Sequence, residues 1–248
     1  MNKTLNRTVD KTMNRIELPE ASKTRIISLG GSILFNKGNL DVNYLVSFRN
    51  FVKSYLNKNP KIKFVLTIGG GVLARRYISA LRKLGVTDEH YLDRIGLEVV
   101  NLNALVVLEA FKELAYDKVI KNPFYVPKTR KRILIYAGYK PGLSSDYVAG
   151  ACAKVHRAKV VFNLTDVRYL YDQDPKKHKV VKKISKICWN DFIKLAGRFE
   201  SGKHFPFDPV ASRLCYKNQI QTIILYGRDL TNVRRAISGK KFEGTIIN

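Results

Sequence analysis

The sequence is poor in cysteine and in long hydrophobic runs, and both shortages exclude classes of protein. Its three cysteines, Cys152, Cys188 and Cys215, are far apart and show no Cys-x-x-Cys or Cys/His ligand spacing. We therefore expect reduced thiols rather than a disulfide framework or a zinc site. No apolar run approaches the roughly 20 residues that a membrane span needs, and residues 1–20 contain no apolar core of a secretory signal. We expect a cytoplasmic protein with no membrane association.

Acidic residues are also scarce. The chain has 20 aspartates and glutamates against 45 lysines and arginines, which gives a formal net charge of +25. Such a chain attracts polyanions, including nucleic acids and phosphorylated metabolites. The basic residues are spread over several short clusters, for example 58–63, 128–132, 176–183 and 234–241. This spread favours a generally solvated basic surface, and nucleic-acid binding is kept as the alternative.

Strand-like and helix-like segments alternate along most of the chain. Apolar, β-branched runs such as RIISL, KFVLTI and RILIY are each followed by residues with apolar side chains at helical spacing. This alternation predicts an α/β fold, a three-layer α/β/α sandwich with a mostly parallel central sheet. Residues 1–23 are polar and lack a clean period, so we interpret them as a flexible basic extension before one domain of residues 24–248.

Two glycine clusters directly follow predicted strands. They are Gly30-Gly31-Ser32 and Gly69-Gly70-Gly71, and Arg75 lies one turn beyond the second cluster. Glycine lets backbone N–H groups approach phosphate oxygens, and a helix N-terminus behind such a loop offers further N–H groups to an anion. Ligands of parallel sheets bind at the carboxyl ends of the strands. Both clusters are therefore candidate phosphate sites, with an ordinary structural turn as the alternative for each.

Two more polar segments follow predicted strands. Residues 138–146, GYKPGLSSD, leave two alternatives: Asp146 simply caps the following helix, or the hydroxyl and free N–H groups hold a phosphate. Residues 165–175, TDVRYLYDQDP, either grip a base and ribose or form a polar turn with a surface tyrosine. Two glycine loops that face each other would hold two phosphate groups, and phosphoryl transfer requires that arrangement.

The order of these motifs resembles that of a known family. LGGS, IGGG with LARRYI, LDRIG with LNA, PG.SSD.VA, T.V...Y..DP, FDP.A and GT.I follow one another between about residues 25 and 247. The series is similar to that of the amino acid kinase family and, within it, of the archaeal-type uridylate kinases. The resemblance implies the amino acid kinase fold and transfer of the ATP γ-phosphate to UMP, which gives UDP for pyrimidine nucleotide biosynthesis. It also implies Mg²⁺ and a homo-oligomer, commonly a hexamer.

The resemblance also assigns roles to residues. It implies catalytic roles for Gly31, Ser32 and Arg75, and no metal ligand from the protein. The implied ATP-binding residues are Gly31, Ser32, Gly71, Arg75, Thr165, Tyr171 and Asp174. The implied UMP-binding residues are Gly70, Asp93, Gly138, Tyr139, Lys140, Pro141, Gly142, Leu143 and Ser144.

The sequence departs from the family pattern at three places. Ser28 stands where much of the family has a lysine, a loss that the archaeal subgroup shares. Ala137 replaces the first glycine of a pair, and Arg168-Tyr169 replace an Asp-Gly turn, which places the unusual geometry on the ATP side. Two alternatives to uridylate phosphorylation follow: an enzyme of the same fold with a different small acceptor, and a degenerate kinase scaffold that binds nucleic acid.

Overall fold

The computed structural model describes residues 13–19, 23–36, 38–173, 180–197 and 207–248. The strands are β1 (Thr24–Leu29), β2 (Phe35–Asn36), β3 (Asn39–Leu40), β4 (Lys63–Ile68), β5 (Ile133–Tyr136), β6 (Val160–Thr165), β7 (Leu170–Tyr171), β8 (Lys183–Ile184), β9 (Lys186–Ile187), β10 (Gln221–Tyr226) and β11 (Thr245–Ile247). The helices are α1 (Gly31–Leu34), α2 (Val42–Lys58), α3 (Gly71–Lys83), α4 (Glu89–Ala110), α5 (Ser145–Val155), α6 (Trp189–Gly197), α7 (Pro209–Lys217) and α8 (Leu230–Ile237).

A seven-stranded sheet in the order β5-β4-β1-β6-β10-β11-β9 forms the centre of the fold. The first five strands of this order run parallel to one another, whereas β11 is antiparallel to β10. Each parallel strand is connected to the next by a helical crossover, as parallel pairing requires. The predicted α/β fold with a mostly parallel sheet is confirmed. Two short hairpins, β2-β3 and β7-β8, lie outside the sheet.

Side chains on the two faces of the sheet enter two separate hydrophobic cores. Along β1, Ile27 and Leu29 belong to the core that also contains residues of α2, α4 and α8. Ile26, next to Ile27 in the strand, belongs to the other core, with residues of α5 and α7. Alternate residues of a strand point to opposite faces. An apolar run without polar alternation is therefore the pattern of a strand covered on both sides, and the three-layer prediction is correct.

Three helices reach the sheet in the same orientation. Because they return the chain between parallel strands, α2, α5 and α7 begin near the carboxyl edge of the sheet and end near its amino edge. Buried arginines bind backbone carbonyls at the amino edge: Arg25 Nε donates to Ile237 O at the end of α8, 2.9 Å away. No described helix combines the length and the apolar character that a bilayer span needs.

The described part of the N-terminal region contacts the domain. Asn14 forms an antiparallel bridge with Phe242, and its side-chain amide donates to Gly244 O at 2.6 Å. Ile16 is buried in the core. Residues 13–19 therefore lie against the C-terminal part of the domain, while the flexible extension predicted for residues 1–23 otherwise lies outside the described residues.

Candidate active site

The two predicted glycine loops meet in direct backbone contact. A Cβ atom added to Gly31 would lie 2.2 Å from Gly71 Cα, and one added to Gly69 would lie 2.9 Å from Gly31 N. Gly71 also has a φ of +64°, which strongly favours glycine. The loops follow β1 and β4, which are neighbours in the sheet. One reason for glycine at these positions is therefore that one loop packs on the other. The approach of a ligand would be a further reason.

A buried asparagine of α4 fixes the second loop. Asn103 Nδ2 donates to Gly69 O at 3.0 Å and to Gly70 O at 3.3 Å. Sequence reasoning assigned no role to Asn103, although LNA was one of the family motifs. The signal was a polar residue at a core-facing position of an apolar helix, and such a residue needs a hydrogen-bond partner.

The third loop, residues 138–144, is anchored to the same helix. Asp93 Oδ2 accepts a hydrogen bond from Gly142 N at 2.7 Å, and Gly142 has a φ of +80°. Leu143 N donates to Lys140 O, which closes the turn at Pro141. The family resemblance alone grouped Asp93 with the Pro-Gly loop. In the structure the two are in contact.

Glycine at position 138 has a packing cause. A Cβ atom there would lie 2.2 Å from Leu97 Cδ2, so α4 approaches the backbone too closely for any larger residue unless Leu97 moves. Beside it, the Tyr139 ring packs edge-on against Phe124 with 5.9 Å between centroids, and Lys140 Nζ lies 5.0 Å from the Tyr139 centroid. These contacts set the position of the loop next to β5.

A carboxylate pair lies under the loops. Asp146 Oδ1 accepts a hydrogen bond from Ser28 Oγ at 3.2 Å, and its Oδ2 accepts one from Asp208 N at 3.2 Å. The helix that Asp146 was expected to cap is capped instead by Ser144, whose Oγ accepts from Tyr147 N. The capping interpretation of Asp146 is therefore wrong. The motif FDP.A contained Asp208, but its meeting with Asp146, 62 residues away, depends on the fold.

The pKa of Asp146 is raised to about 7, chiefly by burial and to a smaller extent by the nearby Asp208 carboxylate. The hydrogen bonds from Asp208 N and Ser28 act in the opposite direction. Asp208 itself caps α7 by accepting from Val210 N and Ala211 N. No cation occupies the position of Ser28, where much of the family has a lysine. A carboxyl group in these surroundings changes its charge near neutral pH.

The side expected to bind the donor nucleotide is partly described. Thr165 ends β6, and its hydroxyl donates to Asp166 Oδ1 at 3.1 Å. The preceding residue of the strand, Leu164, accepts a hydrogen bond from Gly30 N, so Thr165 lies beside the first glycine loop. Tyr171 pairs with Lys183 in the β7-β8 hairpin. Asp174 lies outside the described residues.

Arg168, one of the departures from the family pattern, has local partners. Its guanidinium lies 5.1 Å from the centre of the Tyr226 ring, and its Nη1 lies 3.6 Å from Glu243 Oε2. Tyr226 is directly paired with Thr165 across the sheet. Arg168 therefore brings a positive charge to the outer side of the predicted ATP region.

The remaining predicted residues lie at the same edge. Ser32 belongs to α1, the short helix after the first loop, and Arg75 lies on the exposed face of α3, one turn after Gly71. The neighbouring Arg76 packs over Gly38 of the β2-β3 hairpin, since a Cβ atom there would clash with its guanidinium. The structure thus brings the first, second and third loops together, with Thr165 beside them and Tyr171 farther along the chain.

Three glycine-containing loops lie at the ends of adjacent strands, and two of them are in backbone contact. This arrangement is typical of α/β proteins that bind phosphorylated ligands. The chain belongs to the amino acid kinase family, which matches residues 23–226.

Relatives of this chain include a uridylate kinase of Methanoregula boonei, 30% identical over 230 residues that cover 91% of this chain and 96% of the relative. A uridylate kinase of Methanocorpusculum labreanum is 31% identical over 228 residues, which cover 90% and 94%. The crystal structure of uridylate kinase from Archaeoglobus fulgidus is similar with a TM-score of 0.77 at 28% identity, covering 91% of this chain and 100% of that one.

Replacing Gly31 by alanine tests the loop contact. The new methyl group meets backbone atoms of Gly71, which cannot rotate away, so we expect a loss of about 3 kcal/mol in unfolding free energy and a Tm lower by about 10 °C. The control is Gly96→Ala on α4, where the nearest atom lies at 3.5 Å. It should be neutral or stabilising by up to about 1 kcal/mol. Equal Tm values for the two variants in thermal unfolding would contradict the contact.

Replacing Asp146 by asparagine tests the raised pKa. A carboxyl group whose pKa is higher in the folded state than its usual value of about 3.9 binds more protons when folded, so its contribution to stability falls as pH rises between the two values. With a folded pKa of about 7, the unfolding free energy of Asp146→Asn relative to wild type should rise from pH 4 to pH 7 and then level off.

Urea unfolding at several pH values measures this difference. Ser28→Ala is the matched control, because it removes a hydrogen bond to the carboxyl group and leaves the titrating group in place. The pH-dependent loss of stability should therefore persist in Ser28→Ala. A difference between Asp146→Asn and wild type that does not vary with pH would refute the assignment.

Proposed function

We propose that this chain is a uridylate kinase that transfers the γ-phosphate of ATP to UMP and forms UDP. The observation that carries the proposal is the contact between Asp93 and the 138–144 loop beside the paired glycine loops. This combination supports the proposal because an anchored loop beside two glycine loops suits an acceptor held next to a phosphate group. Membership of the amino acid kinase family and the names of its relatives support the same choice of reaction.

The acceptor in this reaction needs little activation. A phosphate oxygen of UMP is already anionic at neutral pH, so no side chain has to remove a proton from it. Catalysis then consists of alignment and of stabilising the charge on the transferred group. The N-terminal end of α3, behind Gly70 and Gly71, directs backbone N–H groups and the positive end of the helix dipole toward an anion at this edge.

Side chains would complete this charge stabilisation. Ser32 supplies a hydroxyl next to the first loop, and Arg75 supplies a guanidinium one turn into α3. Asp93 would bind the UMP ribose, and the 138–144 loop its phosphate and uracil. Thr165, with Tyr171 and Asp174, would face the adenosine part of ATP.

Mg²⁺ would enter with ATP as part of the substrate. Among the described residues no three metal-ligating side chains converge. Mg²⁺ at phosphoryl-transfer sites is commonly held by substrate phosphates, waters and only one or two carboxylates. Asp146 and Asp208 form a carboxylate pair beneath the loops, and both already accept hydrogen bonds. They fit the role of positioning the loops and α7 around a metal-bound nucleotide. When bound, the cation neutralises charge on the phosphates.

A substrate panel tests the reaction directly. Purified protein with ATP and Mg²⁺ should convert UMP to UDP much faster than it converts CMP or AMP, and it should not phosphorylate small carboxylate acceptors. Nucleotide products are separated by chromatography. Faster turnover of a carboxylate acceptor, or no turnover of any monophosphate, would refute the proposal.

Replacing Asp93 by alanine tests the acceptor side. The variant loses a charge-assisted hydrogen bond to Gly142 N and the proposed ribose contact, and such bonds are worth about 1.5–3 kcal/mol. We expect KM for UMP to rise roughly 10- to 100-fold while KM for ATP changes by less than about twofold. Glu98→Ala, on an exposed part of the same helix, should leave both constants unchanged. Equal changes in the two KM values would show that Asp93 is not specific to the acceptor.

A further inference from the structure

Several basic clusters that look scattered along the sequence meet at the amino edge of the sheet, opposite the candidate active site. The backbone of Lys63, the first residue of β4, donates to Lys23 O before β1, and Phe64 N donates to Arg132 O before β5. Lys159 O, before β6, accepts from Gln221 N at the start of β10. The chain thus enters five neighbouring strands at one edge, and lysine or arginine precedes or begins most of them.

The segments that meet at this edge contain no acidic residue. Residues 53–63 include four lysines, residues 128–132 include four lysines and arginines, and residues 154–159 include three, and none of these stretches has an aspartate or glutamate. Lys217 at the end of α7 adds to them. Among the described residues, acidic groups come from two flanking segments. In 109–117, Glu109 pairs with Lys112, Glu113 pairs with Lys53, and Asp117 is exposed. Asp191 lies in the first turn of α6, whose first residue, Trp189, donates to Ile220 O before β10.

Part of this charge has a structural use. Arg132 donates to the carbonyls of Leu56, Asn59 and Ile62 at the end of α2. Lys58, Lys154 and Lys217 lie in the last turns of α2, α5 and α7, where a cation favourably faces the helix dipole. Other basic residues at this edge have neither of these structural roles.

Lys61, Arg130 and Lys159 form this second group of basic residues. They are exposed and lie in loops before β4, β5 and β6, outside any helix. Within the described residues, none of their side chains forms an ion pair or hydrogen bond. Neighbouring strands are about 4.8 Å apart, so β5 to β6, three spacings, places these cations along a row of roughly 14 Å. Lys23 and Lys63 lie between them.

We infer that this row, named here the amino-edge face (Lys23, Lys61, Lys63, Arg130 and Lys159), binds the phosphodiester backbone of a single-stranded nucleic acid. The face is a line of cations on a sheet edge, and a flexible strand can follow it with successive phosphates. The described helices α2, α5 and α7 meet this edge with their carboxyl ends, which are not suited to enter a duplex groove as recognition helices do. Binding would occur apart from the candidate kinase site, at the other edge of the sheet.

The test compares two triple variants of equal charge. In the first, Lys61, Arg130 and Lys159 are replaced by glutamine. In the second, the matched control, Lys83, Lys186 and Lys194 are replaced by glutamine; these are exposed lysines on α3, β9 and α6. Binding of a labelled 20-nucleotide oligouridylate is measured by fluorescence anisotropy across a series of KCl concentrations, with an oligodeoxythymidylate and a 20-base-pair duplex as further arms.

Each phosphate contact to a single strand contributes about 0.7 to the slope of log K against log salt. Loss of three contacts should reduce the magnitude of the slope by about 2 and weaken binding at 0.1 M salt roughly 100-fold. The control variant should retain the wild-type slope. Single strands should bind more tightly than the duplex, and the two single-stranded arms show whether the ribose hydroxyl contributes.

Three outcomes would overturn the inference: no binding by the wild-type chain at 0.1 M salt, equal losses in both triple variants, or tighter binding of the duplex. Kinase activity and Tm of both variants report whether they fold. If the first triple variant unfolds, the single change Lys61→Gln replaces it, with an expected slope change of about 0.7. Failure of the kinase proposal would not affect this result, since the anisotropy measurement needs no turnover.

Discussion

The backbone contact between the loop after β1 and the loop after β4 sets the geometry of the entire carboxyl edge. Gly31 and Gly71 approach so closely that neither position has room for a Cβ atom. The contact fixes where α3 begins, and α3 in turn packs along α4. Through Asn103 and Asp93, α4 then holds both the second loop and the 138–144 loop. One helix thereby positions the two elements that the proposed reaction must align.

The buried carboxyl of Asp146 has a serine where much of the family has a lysine. Ser28 supplies a neutral hydroxyl to Asp146 from the position two residues before the glycine pair. A neutral partner stabilises a carboxylate less than a cation does, and burial then raises the pKa toward neutrality. The pair therefore joins β1, α5 and the start of α7 by hydrogen bonds in either protonation state, but with a strength that depends on pH.

Local signals in the sequence were enough to predict the strands, the glycine loops and the three-layer fold. Each of these depends on a short stretch: an apolar run covered on both faces, or glycines at its end. The family resemblance added the acceptor loop and Asp93. The interactions that no local pattern contains are those between distant segments. Position 138 requires glycine because Leu97 on α4 lies against its backbone. Asp146 meets Asp208 only because α5 and α7 pack together.

The distribution of charge over the surface depends on the fold in the same way. Along the chain the lysines and arginines form separate clusters, which favoured a generally basic surface. Strand order is a property of the fold, and it places the residues before β5, β4, β1 and β6 side by side. The topology also orients α2, α5 and α7 so that their positive ends lie at the carboxyl edge and their negative ends at the amino edge. Cations in the last helical turns are accounted for by that polarity. Lys61, Arg130 and Lys159 lie outside the helices, so the helix dipole does not explain them, and a polyanionic ligand at this edge does.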